Sequence, residues 1–354
     1  MLLIAPLLLL CLANPATPPE EADAAYAGLV GRYARGDRAA AVGDLGSWKA
    51  GNVERVVRRA ARTKGFALHA AAMLHLDRDH ADRPETPGRE QIRVCTTTHA
   101  EVVRRYADAL ALRDDEGRAF ARRLFLVMGQ RSQWDACLDE AIAWAEDGLR
   151  WFPRDANLLL LLGSAHEEAA TLASFGTRTW NPTEPPSRRD RALEERAARN
   201  ASLVLARRAL QKAIAEDPGL ALASVRLGRV LWRLGDAGAR STLERAVAGA
   251  ADPDVLYLAH LFLGQVHEDA QGLEAAAAEY ERALRVHGHG QSAAVALSQV
   301  KRLLGDTAGS RAVLAAGLSH AGRRPTRDPY WDYLAVNALG WRDEVPRLRE
   351  ETLR

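Results

Sequence analysis

The sequence predicts an all-α fold, an α-solenoid of antiparallel helix pairs with a long insert in one repeat. Three observations predict it. Small residues recur at Gly129, Gly163, Gly228, Gly264 and Ser298, with spacings of 34, 65, 36 and 34, where 65 is one period of 34 plus 31 residues. Apolar residues around them follow helical spacing, and the second helix of a pair runs into a proline at Pro153, Pro218 and Pro253, which cannot continue the hydrogen-bond ladder. No segment shows the strict alternation of a half-buried strand. With 47% hydrophobic and 27% charged residues, the 354-residue chain can bury a core and lies far from the disordered class.

The first nineteen residues carry no charged side chain, and the opening MLLIAPLLLLCLA has the Leu-rich core and small-residue exit of a secretory signal. Residues 1–16 are therefore expected to be a signal peptide, cut after Ala13 or Ala16, and the protein to be exported, periplasmic or secreted. No transmembrane span is expected, because the apolar run from Leu2 to Ala13 falls short of the roughly 20 residues a spanning helix needs. Leu10 stands where a lipoprotein signal has a small residue before its cysteine. After cleavage Cys95 and Cys137 remain; an oxidising compartment allows one disulfide, but two buried free thiols are the expectation.

Residues 22–121 read as degenerate N-terminal helical hairpins. Tyr33, Gly36-Asp37 and Ala39 to Ala41 mark one hairpin, stretches 53–62, 66–75 and 100–112 are amphipathic, and Thr98-His99-Ala100-Glu101 reads as a capping box opening the last of these. Residues 81–90, ADRPETPGRE, read as a loop.

The array itself spans 122–322. Leu263-Gly264 is followed at helical spacing by Ala276, Tyr280, Ala283 and Leu284. Other second helices carry Ala141, Ala145 and Leu149; Ala206, Leu210, Ala213 and Ile214; and Ala239, Leu243 and Ala246. Gly235-Asp236 and Gly305-Asp306 supply a C-terminal glycine with a cap, and Asp252-Pro253 a cap followed by Pro in the first turn. This pattern resembles the tetratricopeptide repeat (TPR) family, in which a helix with a Leu-Gly pair packs against a second helix bearing Ala, an aromatic residue and Ala-Leu. The resemblance covers five units. Only four basic residues are lysines (Lys49, Lys64, Lys212 and Lys301), and this bias, with abundant Ala, Gly and Leu, points to a GC-rich, bacterial genome.

The 31 extra residues form an insert at about 174–203. Its first half, SFGTRTWNPTEPPSRR, is expected to be an ordered recognition flap carrying Phe175, Arg178, Trp180, Arg188 and Arg189, because long loops on rigid scaffolds often bear function. Its second half, RDRALEERAARN, is charged and helix-prone. Residues 323–354 read as C-terminal capping helices, with Tyr330, Trp331, Tyr333 and Trp341 sealing the last repeat. Trp144 and Trp151 read as core between repeats.

Catalytic motifs are missing: there is no G-x-x-x-x-G-K-[ST], H-E-x-x-H, C-x-x-C or G-x-S-x-G. His166-Glu167-Glu168 and His267-Glu268-Asp269 lack a second His four residues on, so both histidines read as interior structural groups. His75 to His80 reads as a solvated helix end, and His287-Gly288-His289-Gly290 as an exposed turn. No metal and no cofactor are expected. A net charge of +2, from 48 basic and 46 acidic side chains, gives no excess to draw in nucleic acid.

In TPR arrays the concave surface is lined by first helices, one, four and five residues after the small residue. The resemblance therefore implies a groove of Gln130, Gln133 and Trp134; Ser164, Glu167 and Glu168; Arg229, Trp232 and Arg233; Gln265, Glu268 and Asp269; then Gln299 and Arg302. Two readings of it stand level. In one, Trp134 and Trp232 anchor a protein or peptide partner. In the other, Glu167 and Glu168 pair with Arg229 and Arg233 into a surface satisfied by itself. The Lys/Asn clamp by which chaperone-binding members hold a terminal carboxylate is not matched. The leading expectation is a non-catalytic protein-interaction scaffold. The alternatives are a metal-dependent hydrolase built from the insert and the histidines, and a structural adaptor in a cell-envelope assembly.

Overall fold

A computed structural model of the chain describes residues 19–48, 50–60, 68–82, 97–172, 188–318, 328–335 and 341–352. Among the described residues every regular element is a helix. The predicted signal peptide, residues 1–16, lies outside them. Upstream stand α1 (Pro19–Ala34), α2 (Arg38–Gly46), α3 (Ala50–Ala60), α4 (Leu68–Asp82) and α5 (Thr98–Ala111). Five hairpins follow: α6 (Asp115–Trp134) with α7 (Leu138–Trp151), α8 (Ala156–Leu172) with α9 (Arg188–Glu216), α10 (Ala221–Arg233) with α11 (Ala239–Gly249), α12 (Pro253–Asp269) with α13 (Leu273–Val286), and α14 (Gln291–Leu303) with α15 (Thr307–Leu318). First helices touch in the order α6, α8, α10, α12, α14, and each second helix packs on the next first helix. This nearest-neighbour stacking is that of a solenoid.

The periodic small residues are where each pair closes. A Cβ added at Gly228 would stand 2.5 Å from Leu243 Cγ, and one at Gly163 2.6 Å from Leu210 Cγ. Gly264 faces the Tyr280 ring in the same way. At the fifth position Ser298 Oγ lies 3.0 Å from Ser310 Oγ, so a buried hydroxyl pair replaces close backbone approach. Asp252 caps α12 through Oδ1, accepting from the Asp254 and Val255 amides at 2.7 and 3.3 Å, with Pro253 in the first turn. Gly235 and Gly305 take the left-handed backbone at φ +70° and +86° that ends α10 and α14.

Five expectations are corrected. The cap of α5 is Thr97, not Thr98: its Oγ1 accepts from the Ala100 amide at 3.0 Å while donating to Asp79, so a tie to α4 chooses the cap. The second half of the insert is not set off from the second helix: α9 starts at Arg188 and runs unbroken to Glu216, so the helix-prone RDRALEERAARN, with no Gly or Pro to stop it, forms its first turns. His75 is no solvated helix end. It is buried, with Nε2 2.7 Å from Tyr26 Oη and Nδ1 2.9 Å from His99 Nδ1. Cys137 is not a free thiol but disulfide-bonded. The other two cysteines, Cys11 and Cys95, lie outside the described residues.

The fifth correction concerns the end of the chain. The described helices within 323–354 do not stack on the last repeat as a cap. Instead α16 (Pro329–Ala335) rests on α12, and α17 (Trp341–Thr352) rests on α4 and α6, at the other end of the row. Charge and apolar anchoring explain the placement. Arg349 holds Asp77 with both carboxylate oxygens at 2.6 and 3.2 Å, Arg123 of α6 pairs with Glu344 and Glu351, and Leu348 is fully buried in the N-terminal core. Tyr333 of α16 belongs to the core of the C-terminal repeats. Trp144 is buried as expected, with the Arg104 guanidinium 4.5 Å from its ring centre.

Candidate functional site

Three arginines on α10, Arg226, Arg229 and Arg233, recur at i, i+3 and i+7 and so share one helix face. That face meets Glu167 of α8. Arg226 Nη1 donates to Glu167 Oε2 at 2.8 Å and Arg229 Nη1 to Oε1 at 3.0 Å, and Glu167 and Arg226 are 1% and 2% exposed. Arg233 donates to the Glu167 carbonyl at 3.2 Å and to Thr171 Oγ1 at 3.0 Å, close to the C-terminal end of α8. From α16, Tyr333 Oη donates to Glu167 Oε1 at 2.5 Å, and the Tyr333 carbonyl accepts from Arg226 Nη2 at 3.1 Å. The Arg226 guanidinium stacks 4.1 Å from the centre of the Tyr333 ring. Arg229 lies 5.0 Å from Tyr333 and 5.1 Å from Phe262.

Electrostatics follow from this arrangement. Burial pushes the Glu167 carboxyl upward, but Arg226, Arg229 and the Tyr333 hydroxyl outweigh it and hold the carboxyl below its ordinary range. Burial, then the Glu167 charge, raises the Tyr333 phenol, so it stays a donor. Glu168 behaves oppositely. Burial pushes it up to about 7, against a partial pull down from the Gln133 amide, which donates to Glu168 Oε2 at 3.0 Å.

The outer end of the seat is built by α12 and α14. Asp328, 4% exposed, accepts from the Ser292 amide at 2.7 Å in the first turn of α14, and its other oxygen accepts from the Tyr330 amide at 2.9 Å. Tyr257 Oη accepts from the neighbouring Ala293 amide at 3.2 Å. Residues 328–335 therefore lie across the first helices from α14 to α8, with α17 continuing to α6 and α4.

The sequence-derived groove residues fall into three groups. Gln130, Gln133, Ser164 and Glu167 are buried, with Ser164 Oγ donating to Gln133 Oε1 at 3.0 Å; they are the floor under the face. Trp134, Glu168, Arg229, Trp232, Arg233, Gln265 and Glu268 are half-buried, and Asp269, Gln299 and Arg302 are exposed. Trp232 Nε1 donates to Asp269 at 2.6 Å, Tyr280 Oη to Glu268 at 2.9 Å and Arg302 to Gln299 at 3.0 Å. The Glu167 to Arg229 pair forms as the self-satisfied reading has it, whereas Glu168 turns to Gln133. Of the flap, Phe175, Arg178 and Trp180 lie outside the described residues, and Arg188 and Arg189 open α9.

The row of paired helices, closed at small residues and joined first helix to first helix, decides the architecture. The fold is a tetratricopeptide-type α-solenoid. No protein-family model matches the chain, and no curated protein matches it. Solved structures it is similar to include pilF of Pseudomonas aeruginosa, at 15% identity and TM-score 0.44 over 66% of this chain and 90% of that one. MamA 41-end from Desulfovibrio magneticus RS-1 gives 19% and 0.41 over 58% and 97%. A thermophilic TPR protein of Thermus thermophilus gives 16% and 0.38 over 67% and 99%.

Arg226, Asp328 and Tyr333 are the site residues that sequence reasoning missed. Arg226 falls two residues before Gly228, outside the positions the repeat pattern designates, although its i, i+3, i+7 spacing with Arg229 and Arg233 is a readable signal. Nothing in the sequence points Tyr333 at Glu167, 166 residues away. Among the described residues no three His, Cys, Asp or Glu side chains converge in a metal-binding group, and no helix is long and apolar enough to cross a membrane. The face meets residues 328–335 of its own chain with a carboxylate for a hydroxyl, a guanidinium for a carbonyl and an aromatic ring, and a backbone amide for an acidic side chain.

Proposed function

We propose that this TPR-type solenoid is a non-catalytic scaffold that holds a protein or peptide partner on its first-helix face. The observation that carries the reading is that this face already seats a stretch of polypeptide, residues 328–335, through a phenol to Glu167 hydrogen bond, an Arg226 to carbonyl bond and a capped Asp328. Half-buried Trp232 and Gln265 and exposed Gln299 extend the same face beyond that segment. The near balance of 48 basic and 46 acidic side chains favours polypeptide over a polyphosphate chain. The flap residues Phe175, Arg178 and Trp180 are proposed as a second contact with the partner.

Photocrosslinking groups placed at Trp232, Gln265 and Gln299 in turn test this in native extracts, with Arg240 and Glu244 on α11 as second-helix controls. The expected result is one protein captured from the first-helix positions and not from the controls. Capture from the controls alone would support the structural adaptor, and a stoichiometric metal in the purified protein would support the hydrolase. We also propose export, supported by the uncharged apolar leader and by the disulfide at Cys137, since disulfides persist in oxidising compartments. Sequencing the mature N-terminus checks it: a chain still beginning at Met1 refutes a cleaved signal.

A further inference from the structure

We propose that the seat filled by residues 328–335 recognises an acidic, tyrosine-bearing peptide of the partner protein. The chain's own C-terminal segment is then a tethered competitor that such a peptide displaces. The inference rests on the first-helix face being the binding surface, and adds what is bound and how access is controlled.

The recognised features can be read from the occupant. A carboxylate is required where Asp328 meets the Ser292 amide, 2.7 Å away. Five residues on, one tyrosine supplies three things: a hydroxyl to Glu167 at 2.5 Å, a carbonyl to Arg226 at 3.1 Å, and a ring between the Arg226 guanidinium at 4.1 Å and the Phe262 ring at 5.1 Å. Between them, Trp331 points outward and is 53% exposed, so that position is not read. All of these groups belong to a single short helical stretch, and a peptide from another chain can present every one of them.

The energetics favour exchange over simple opening. With residues 328–335 in place Glu167 and Arg226 are almost fully buried; emptying the seat takes a hydroxyl donor from Glu167, a carbonyl acceptor from Arg226 and the Tyr333 ring from its packing on Phe262, while Glu167 keeps its bonds to Arg226 and Arg229. A peptide that restores the same two bonds removes that cost. The anchor holding the tether is more ionic than the seat. Arg349 to Asp77 and Arg123 to Glu344 and Glu351 are part-exposed pairs, with Leu348 the fully buried apolar group among the described side chains of α17. Salt screens part-exposed pairs, so the tether loosens as ionic strength rises. The tether nonetheless raises the local concentration of its own segment, so a free peptide binds the closed chain more weakly than the bare seat.

The probe is a fluorescein-labelled peptide DPYWDYLA, residues 328–335, followed by anisotropy against the full chain. Three proteins are compared: wild type, Arg349→Ala, which loosens only α17, and Tyr333→Ala with Arg349→Ala, which loosens both contacts. Expected is at least a tenfold rise in affinity from wild type to the double variant, with Arg349→Ala in between. The peptide carrying Tyr333→Phe should bind the double variant at least tenfold more weakly. Equal affinity for wild type and both variants, or no loss with the Phe peptide, overturns the proposal. Should the double variant lose its helical circular dichroism, Arg349→Ala alone decides by the same comparison. If no variant binds the peptide while crosslinkers at Gln265 and Gln299 still capture a partner, this inference falls and the scaffold reading stands.

Discussion

Glu167→Ala removes one carboxylate and strands two guanidinium groups. Arg226 is 2% exposed, and its pairing to Glu167 at 2.8 Å is shared with Arg229 at 3.0 Å and the Tyr333 hydroxyl at 2.5 Å. Breaking a buried pair by deleting one partner costs about 3–5 kcal/mol, because the remaining charge is neither solvated nor paired. At about 2 °C per kcal/mol, the low end for long chains, this is a fall of about 6–10 °C in Tm. A solenoid can melt in blocks, so the value is read on the first transition in circular dichroism at 222 nm. The companion variant, Glu167→Gln with Arg226→Met, removes a charge from each side and should recover more than half of the loss, since the stranded cation is the main cost. A Glu167→Ala protein melting within about 2 °C of wild type would falsify the reasoning, because Arg226 would then be reaching water.

Three further outcomes are expected. The Glu168 carboxyl is raised to about 7 in the folded chain, so the folded state holds its proton where the unfolded state has lost it. The stability from this group is complete below about pH 4.5 and lost as pH rises through about 7, by about 1–3 kcal/mol after solvent screening, and Glu168→Gln should flatten that part of the urea midpoint against pH profile. Gly228→Ala gains about 1 kcal/mol of helix propensity but drives a methyl 2.5 Å from Leu243 Cγ, for a net loss of about 1–2 kcal/mol. Gly28→Ala, with open space around it in α1, should instead gain about 0.5–1 kcal/mol, and equal signs for the two would show that the repeat does not close at its glycine. Alkylation of denatured, unreduced protein followed by mass spectrometry should leave Cys137 unlabelled, and labelling there would show a free thiol.

The array is legible in the sequence because each repeat touches only its neighbours. A local spacing such as Leu263-Gly264 with Tyr280 therefore encodes the contact it makes, and helix ends at Pro153, Pro218 and Asp252-Pro253 are set by the local backbone. Contacts across many repeats leave no such trace. Asp328 and Tyr333 meet partners on elements their own spacing does not specify, and Tyr333 reads as a seal for the last repeat because its nearest sequence neighbours are there. Thr97 loses its place as a cap to Thr98 for the same reason: the deciding bond goes to Asp79 on another helix. Buried His75 is misread because a run of His and Asp is usually wet, whereas here Tyr26, Tyr106 and His99 enclose it.

The returning C-terminal segment also changes what kind of object the solenoid is. In an open array, stability is a sum of units and neighbour interfaces, and one end does not sense the other. Here residues 328–335 tie α14, α12, α10 and α8 together, and α17 ties α6 and α4, so the segment spans a row whose members otherwise meet only in pairs. Loosening it removes those long contacts while leaving each glycine-closed hairpin intact. The fold should pass from one cooperative transition toward several, with little change in helix content. A partner that takes the seat would thereby loosen the join between the two halves of the array, and binding at Glu167 would be felt at Asp77 without any rearrangement inside a repeat.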